Sequence, residues 1–210
     1  LSSSSPADDA TAVEKTSNIV LNFSEAVDVE TGNIVIYEAS NDSVVETIDI
    51  TDGSKVSGSG STQITINPSI DLAESTSYYV QIASTAFDDS SSNSYAGIND
   101  KTTLSFTTAD ETAPIITGPS GSAAGATTSA ISINENETAI NKFTANESVS
   151  WSLNGGADAS LFSINSSSGA LSFSSAPNYE SPKDSDYGND YVVGVRATDD
   201  SGNTSDQILT

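Results

Sequence analysis

One stretch decides the fold class of this chain: Ile19-Val20-Leu21-Asn22-Phe23. Its side chains at Ile19, Leu21 and Phe23 alternate with their neighbours, so they share one face of an extended strand. Similar segments follow, and clusters of Ser, Gly, Asn and Asp separate them at intervals of about 8 to 12 residues, as in a β-sandwich. No segment has a helical apolar stripe of useful length. The sequence therefore predicts an all-β protein.

The alternation continues along both halves of the chain. In the first half the predicted inward residues are Ile34, Ile36, Ile64, Ile66, Tyr78, Val80, Ile82, Leu104 and Phe106. In the second half they are Ile131, Ile133, Phe143, Val149, Trp151, Leu153, Phe162, Ile164, Leu171, Phe173, Val193, Val195 and Ala197. A last strand is expected to begin near Gln207. Two strand series of similar length predict two tandem sandwiches rather than one large core.

A domain boundary is predicted between the two series. The first series is followed by the acidic pair Asp110-Glu111 and by Pro114, which reopens an extended segment. A stretch of small and polar residues comes next and has the composition of a flexible connection. We expect one sandwich over 1–110, a linker and strand entry over 111–125, and a second sandwich over 126–210 whose last strand is truncated.

The composition excludes several classes of partner and site. The 210 residues include 29 Asp and Glu against 6 Lys and Arg, a formal net charge of −23, and no His, Cys or Met. Such a charge repels nucleic acid and anionic membrane surfaces. Without Cys there are no disulfides, thiolate nucleophiles or zinc–thiolate sites. No apolar run approaches about 18 residues, so membrane insertion is not expected.

An enzyme is not expected either. Without His or Cys, and with few basic groups to hold a substrate, the usual nucleophiles and general bases are missing. A carboxylate pair acting as in a glycosidase is the catalytic alternative that the composition leaves open.

The acidic residues gather in the predicted turns. Clusters occur at Asp8-Asp9, Asp88-Asp89, Asp110-Glu111, Asn134-Glu135-Asn136-Glu137, Asn178-Tyr179-Glu180 and Asp199-Asp200. The loops of a sandwich meet at two poles, so carboxylates distant in sequence converge there. Carboxylates without any soft ligand indicate a hard cation, above all Ca²⁺. Two plainer explanations stay open: solubility in a salty medium and capping of backbone groups in turns.

The first half resembles the bacterial immunoglobulin-like domain of surface-layer proteins and large adhesins. The resemblance rests on the order and spacing of short pieces across the whole half. They are Ser5 to Val13, Ile19 to Val27, Leu72 to Tyr78, Ala86-Phe87-Asp88, Tyr95 to Ile98 and Phe106 to Asp110. In the topology that this resemblance implies, Glu25 ends the second strand and Asp88-Asp89 ends the sixth. Glu25 and Asp88 are therefore expected to bind metal at one pole.

The second half resembles bacterial cadherin-like domains. The pieces that carry the resemblance are Ile133-Asn134-Glu135-Asn136, Trp151-Ser152-Leu153, Gly156-Ala157-Asp158-Ala159, Leu161 to Ile164, Ser168 to Phe173, Pro177 to Glu180, Tyr191-Val192-Val193 and Ala197-Thr198-Asp199. The resemblance implies calcium ligands at Glu135, Asn178 and Glu180, at the pole far from the linker. The sequence departs from the family pattern, since Asn146-Glu147-Ser148 replaces Asp-x-Asp and Asn178-Tyr179-Glu180 replaces Asp-Arg-Glu. The acidic linker that follows the last strand in the family lies beyond the sequence.

The acidic pair at the boundary is expected to meet the second domain. Asn146-Glu147 and Asp199-Asp200 would face the pair Asp110-Glu111. A Ca²⁺ ion shared there would stiffen the joint. The ligands predicted at this joint are Asp110, Glu111 and Asp199.

Other candidates have structural explanations. Trp151 is expected in the core rather than against a sugar. Tyr78 is expected to form a structural corner rather than to bind a ligand. The loop from Asp89 to Asn99 carries Tyr95 and is the best place for a partner contact, with a plain connecting loop as the alternative.

These observations predict a structural protein. Domains of both resembling kinds are joined in series in giant bacterial adhesins of the repeats-in-toxin type. We therefore expect an extracellular, calcium-rigidified spacer of a bacterial cell-surface adhesin, which supports adhesion or biofilm formation and whose partners are neighbouring domains of the same protein. The alternative is a binding module whose pole loops recognise a surface glycan or peptide.

Overall fold

The computed structural model describes residues 1–210. The chain divides into two units, Leu1–Asp110 and Glu111–Thr210. Apart from one 3-10 helix at Ala159–Leu161, every regular element is a β-strand. This confirms the predicted all-β fold class. No helix of the structure has the length and hydropathy of a membrane span.

Unit 1 has ten strands in two sheets. The strands are β1 (Ser3–Ser5), β2 (Ala10–Val13), β3 (Ile19–Val29), β4 (Asn33–Glu38), β5 (Val44–Asp49), β6 (Val56–Ser57), β7 (Ser61–Ile66), β8 (Ser77–Ile82), β9 (Phe87–Asp89) and β10 (Ser105–Thr108). One sheet has the order β1-β3-β7-β6, with β9 also paired to β3, and the other has the order β2-β10-β8-β4-β5. The β2–β10 pair is parallel, and the other pairs of this unit are antiparallel.

The core of unit 1 lies between its two sheets, because inward residues of both sheets join one buried cluster. Along β3, Ile19, Leu21 and Phe23 are buried while Val20 and Asn22 are partly exposed. The other inward residues predicted for this half are also buried, namely Ile34, Ile36, Ile64, Ile66, Tyr78, Val80, Ile82, Leu104 and Phe106. Burial of one large apolar side chain stabilises the fold by about 1.5–3 kcal/mol, so the alternation decides which face of each strand turns inward.

Tyr78 forms the predicted structural corner. Its ring is buried, with its centroid 5.8 Å from that of Phe106. Its hydroxyl accepts a hydrogen bond from the backbone N–H of Ala73 at 2.9 Å. This bond ties the start of β8 to the turn before it, as in the tyrosine corner of sandwich domains.

Unit 2 has nine strands and the short helix. The strands are β11 (Ile116–Thr117), β12 (Thr128–Ser129), β13 (Ala139–Lys142), β14 (Thr144–Ala145), β15 (Ser150–Leu153), β16 (Phe162–Ile164), β17 (Ala170–Phe173), β18 (Val193–Thr198) and β19 (Thr204–Leu209). They form the sheets β12-β19-β18-β15, β13-β17-β16 and β11-β14. Trp151 is 6% exposed and its ring lies 5.9 Å from that of Phe143, which confirms its place in the core.

Two strand predictions in unit 2 are wrong. Ile131 and Ile133 form no strand, because β12 ends at Ser129 and its ladder with β19 covers only Thr128 and Ser129. Both side chains still pack against the core. The last strand begins at Thr204 and not near Gln207, because the turn after β18 places Thr204 directly opposite Thr198.

Removal of the Tyr78 hydroxyl should weaken unit 1. Tyr78→Phe keeps the buried ring but leaves the N–H of Ala73 without its partner. We expect a loss of about 1 kcal/mol in the free energy of unfolding, measured as a lower urea midpoint at an unchanged m-value. The matched control is Tyr37→Phe, whose ring stacks on Tyr79 at 4.8 Å without a hydroxyl hydrogen bond. An equal loss in both variants would contradict the role of the Tyr78 hydroxyl.

Candidate metal centre

Asp199 anchors the turn between β18 and β19. The residue is 7% exposed. Its Oδ1 accepts hydrogen bonds from the N–H groups of Ser201 at 2.9 Å and Asn203 at 2.8 Å, and its Oδ2 accepts one from Nδ2 of Asn203 at 2.9 Å. Burial acts to raise the pKa of Asp199, but these donors outweigh it and hold the pKa below its ordinary value. Asp199 is therefore an oriented anion at neutral pH.

Glu147 lies beside Asp199. One carboxylate oxygen of each residue lies within 4.8 Å of the other. Two oxygens bound to one Ca²⁺ at about 2.3–2.6 Å are at most about 5 Å apart, so the pair fits two ligands of one ion. Two carboxylates at this separation repel each other without a cation. The donor set, which is oxygen alone, suits a hard cation.

This carboxylate pair lies at the end of unit 2 where the chain enters it. Ile115 donates its N–H to Oδ1 of Asn146 at 2.6 Å, and Asn146 donates its N–H to the carbonyl of Ile115 at 3.2 Å. Asn146 is the residue before Glu147. Of the predicted linker ligands, Asp110 ends unit 1 and Glu111 begins unit 2. Both therefore precede this anchor directly along the chain.

Glu25 and Asp88 lie on paired strands of unit 1. Glu25 does not end its strand as expected, because β3 continues to Val29 in order to pair with β9. Asp88 lies within β9, where its cross-strand partner is Asp28 rather than Glu25. No three carboxylates within unit 1 come within 4.8 Å of one another. Glu25 and Asp88 therefore belong to no group of three acidic residues close enough to share an ion, and a metal site at this pole stays a prediction.

Glu135, Asn178 and Glu180 lie on two neighbouring segments of unit 2. Oε2 of Glu135 accepts a hydrogen bond from the N–H of Tyr179 at 3.0 Å. Oδ1 of Asn178 accepts one from the N–H of Glu180 at 2.9 Å. The structure thus brings Glu135 to the segment that carries the other two residues. In this arrangement Glu135 and Asn178 use one side-chain oxygen each to hold backbone.

The turn after β9 repeats the arrangement around Asp199. Oδ1 of Asp89 accepts hydrogen bonds from the N–H groups of Ser91 at 2.8 Å and Asn93 at 2.9 Å, and Oδ2 accepts one from Nδ2 of Asn93 at 2.7 Å. The Asn93 side chain is the main reason that the pKa of Asp89 lies below its ordinary value. Turn capping is therefore confirmed as one role of the acidic residues. It is shared by Asp49, Asp52 and Asp100.

The loop that follows this turn directs Tyr95 towards the core. Its ring centroid lies 5.3 Å from that of Phe23 and 6.4 Å from that of Phe87. The contacts favour the plain connecting loop over a partner contact through Tyr95.

Two buried carboxylates of unit 2 are not among the metal ligands that the sequence predicts. Asp158 is 3% exposed and Asp184 is 1% exposed. Asp158 enters only through the cadherin-like resemblance, and Asp184 lies in a polar segment without alternation. The spacing Asp184-x-Asp186 is the signal that points to it, because the first two ligands of calcium loops have this spacing.

Comparison with known proteins gives one family and several distant structures. The family model for a bacterial Ig-like domain matches residues 1–108. The structure of mouse cadherin-23 EC22-24 is similar with 15% identity and a TM-score of 0.41, over 99% of this chain and 64% of that one. The human desmocollin-1 ectodomain has 14% identity and a TM-score of 0.39, over 96% and 37%.

A bacterial structure is also similar. The N-terminal part of the bacterial S-layer protein SbsC has 14% identity and a TM-score of 0.32, over 97% of this chain and 43% of that one. The chain thus spans less than two thirds of each of these three structures. No curated protein matched the sequence.

Acid should destabilise the capped turns. The pKa values of Asp89 and Asp199 are lower in the folded chain than in the unfolded chain. Their stabilising contribution is therefore complete above the unfolded pKa of about 3.9 and is lost as the pH falls through the folded pKa. In chelator, we expect Asp199→Asn to lower the Tm at neutral pH and to reduce the further fall of Tm below about pH 4. Thermal denaturation across this pH range measures both effects.

The neighbouring acid supplies the control. Asp200 is exposed, and Asp200→Asn should leave the Tm at neutral pH and its pH dependence almost unchanged. Equal behaviour of the two variants would show that the turn does not depend on the Asp199 carboxylate.

Proposed function

We propose that this chain, which belongs to the bacterial Ig-like domain family, is a calcium-stiffened spacer of a bacterial cell-surface adhesin. It works outside the cell, as part of a larger adhesin of the repeats-in-toxin type, in adhesion or biofilm formation. It extends that protein and catalyses no reaction. Its partners are the neighbouring domains of the same chain.

The observation that carries this proposal is the carboxylate pair at the entry to unit 2. Glu147 and Asp199 have oxygens within 4.8 Å of each other, and they lie at the end anchored by Asn146. The two residues at the unit boundary, Asp110 and Glu111, are also acidic. The linker and the end to which it leads therefore both carry carboxylates.

These residues suit Ca²⁺ better than other divalent cations. Ca²⁺ takes six to eight oxygen ligands in irregular geometry, whereas Mg²⁺ needs a near-ideal octahedron. Glu147 and Asp199 would hold the ion from unit 2, and Asp110 and Glu111 would hold it from the linker. The bound ion would add positive charge among these carboxylates. A linker tied in this way has fewer accessible conformations, which is the property that a spacer needs.

The charge of the chain makes this stiffness depend on calcium. With a formal net charge of −23, carboxylates at one end of a unit repel each other until a cation binds. Calcium sites of extracellular modules have dissociation constants of about 10⁻⁴–10⁻³ M. A site of this class fills at millimolar calcium outside a cell and stays empty at the low calcium inside it.

A groove in unit 2 favours a second function, the binding of a surface glycan or peptide. Its volume is about 460 Å³, within the range of about 300–1,000 Å³ for ligand sites. Ile133, Phe173 and Tyr191 line it together with the carboxylates of Glu135 and Asp190. Aromatic faces beside carboxylates suit a sugar ring or a basic peptide side chain.

Loss of the linker carboxylates should loosen the chain in calcium. We expect Asp110→Ala combined with Glu111→Ala to give a broader distribution of sizes by small-angle X-ray scattering in millimolar calcium. The unsubstituted chain should show the same broadening only when a chelator removes calcium. Glu147→Gln should behave like the double linker variant, because it removes a ligand of the same ion.

A charge-matched pair in unit 1 provides the control. Asp28 and Glu30 are exposed, and Asp28→Ala combined with Glu30→Ala should leave the calcium-dependent scattering profile unchanged. If the linker variant and the unsubstituted chain gave the same profile in calcium, the joint ion would be refuted.

A screen against glycan and peptide arrays separates the two functions. For a spacer we expect no saturable binding by the chain in millimolar calcium. Saturable binding that Ile133→Asp abolishes would instead assign the groove a binding function, and the spacer proposal would fail.

A further inference from the structure

A second group of carboxylates lies on the segment between β17 and β18, apart from Glu147 and Asp199. The segment reads Asp184-Ser185-Asp186-Tyr187-Gly188-Asn189-Asp190. The N–H of Gly188 donates to Oδ2 of Asp184 at 2.7 Å and to Oδ1 of Asp186 at 3.0 Å. Both carboxylates therefore converge on one backbone group.

One oxygen of Asp184 has no partner. The residue is 1% exposed, and its Oδ1 is enclosed and accepts no hydrogen bond. Buried polar atoms of folded proteins almost always have a partner, and an exception calls for a bound water or ion. The carboxylates of Asp184 and Asp186 meet at the N–H of Gly188. A bound cation would give the unpartnered oxygen a partner and would offset the negative charge of the two neighbouring groups.

No cationic side chain of the protein neutralises Asp184. Lys183 precedes it in sequence but forms no ion pair, and Arg196 pairs with Asp206 instead. The protein therefore supplies no cation to this buried carboxylate.

Asp158 fixes the base of the segment. It is 3% exposed, and its Oδ1 accepts a hydrogen bond from the N–H of Ser185 at 2.7 Å while its Oδ2 accepts one from the N–H of Val192 at 2.8 Å. The two bonds hold both ends of the segment against the sheet. Asp158 is therefore a positioning residue, and Asp184 and Asp186 are left to face a ligand.

We propose that the segment Asp184–Asp190 binds Ca²⁺ through Oδ1 of Asp184 and the carboxylate of Asp186. Their spacing is that of the first two ligands in calcium loops, and backbone carbonyls and water complete such shells. Tyr187 and Asn189 have φ values of 62° and 67°, and an irregular backbone suits Ca²⁺ better than the strict octahedron of Mg²⁺. The site lies within unit 2 and does not depend on the proposed function.

Counting ions in the whole 210-residue chain tests the site. Calorimetric titration with Ca²⁺ should give one equivalent fewer for Asp186→Asn than for the unsubstituted chain. Titration with Tb³⁺ should give tyrosine-sensitised emission, because Tyr187 is adjacent to Asp186, and Asp186→Asn should remove most of it. Asp186 is exposed, so this variant keeps the fold.

A variant at the joint separates this site from the proposed function. Glu147→Gln should leave the sensitised emission unchanged whether or not a joint ion exists. Loss of emission in Glu147→Gln but not in Asp186→Asn would overturn the loop site and leave the joint site standing.

Asp184→Asn provides a test that does not depend on counting. In chelator its Tm should stay close to that of the unsubstituted chain, because the Asn side-chain oxygen can still accept the hydrogen bond from the N–H of Gly188. In millimolar calcium its Tm should be lower, because the ion no longer binds. A Tm that is lowered equally in both conditions would mean that Asp184 has a structural role alone, and the proposal would be wrong.

Discussion

Backbone N–H groups in the connections between strands set the constraint on which the rest of this structure depends. The ladders of a sandwich satisfy backbone groups within strands but leave those of the turns open. In this chain Asp side chains accept many of them, as Asp89 and Asp199 do with the same set of bonds. A chain with six cations can thus carry many acids, since N–H groups rather than ion pairs stabilise their charge.

The same constraint distinguishes acids that only cap a turn from acids that also have a neighbouring carboxylate or an oxygen without a donor. Both oxygens of Asp89 accept hydrogen bonds from its own turn, and Asp89 belongs to no group of three acidic residues close enough to share an ion. Asp199 makes the same turn, but Glu147 lies beside it. Asp184 keeps a buried oxygen with no donor. The places suited to calcium follow from a neighbouring carboxylate at Asp199 and from an oxygen without a donor at Asp184, and not from the local density of acids.

The sequence predicts the features that depend on neighbours along the chain. Ile19, Leu21 and Trp151 are buried as expected, because alternation along one strand already determines which side chains turn inward. The prediction is wrong at Ile131 and Ile133, because the ladder at this edge joins only Thr128 and Ser129 of β12 to the last two residues of β19. Strand pairing depends on a partner segment that is far away in the sequence. The local alternation of apolar residues therefore cannot predict where the pairing ends.

The predicted metal ligands also depend on contacts between segments that are far apart in the sequence. The immunoglobulin-like resemblance predicts that the second strand ends at Glu25. In the structure β3 continues to Val29, because its last residues pair with β9. The burial of Asp184 depends on Asp158, which holds Ser185 and Val192 from another part of the chain. Neither fact is visible in the composition of the segment itself. An acidic turn in a sequence therefore identifies a cap or a ligand only after its hydrogen-bond partners are known.

The two proposed calcium sites differ in how much order the protein supplies before the ion arrives. Asp184 is buried, and one of its oxygens is already fixed by Gly188 on a segment held by Asp158. The ion proposed at the joint would use carboxylates at the boundary between the two units, so its binding would also have to restrict the linker, and this ordering lowers affinity. The loop site should therefore fill at lower calcium than the joint. If both proposed sites bind calcium, rising calcium should first stabilise unit 2 as a domain and only then restrict the linker before it.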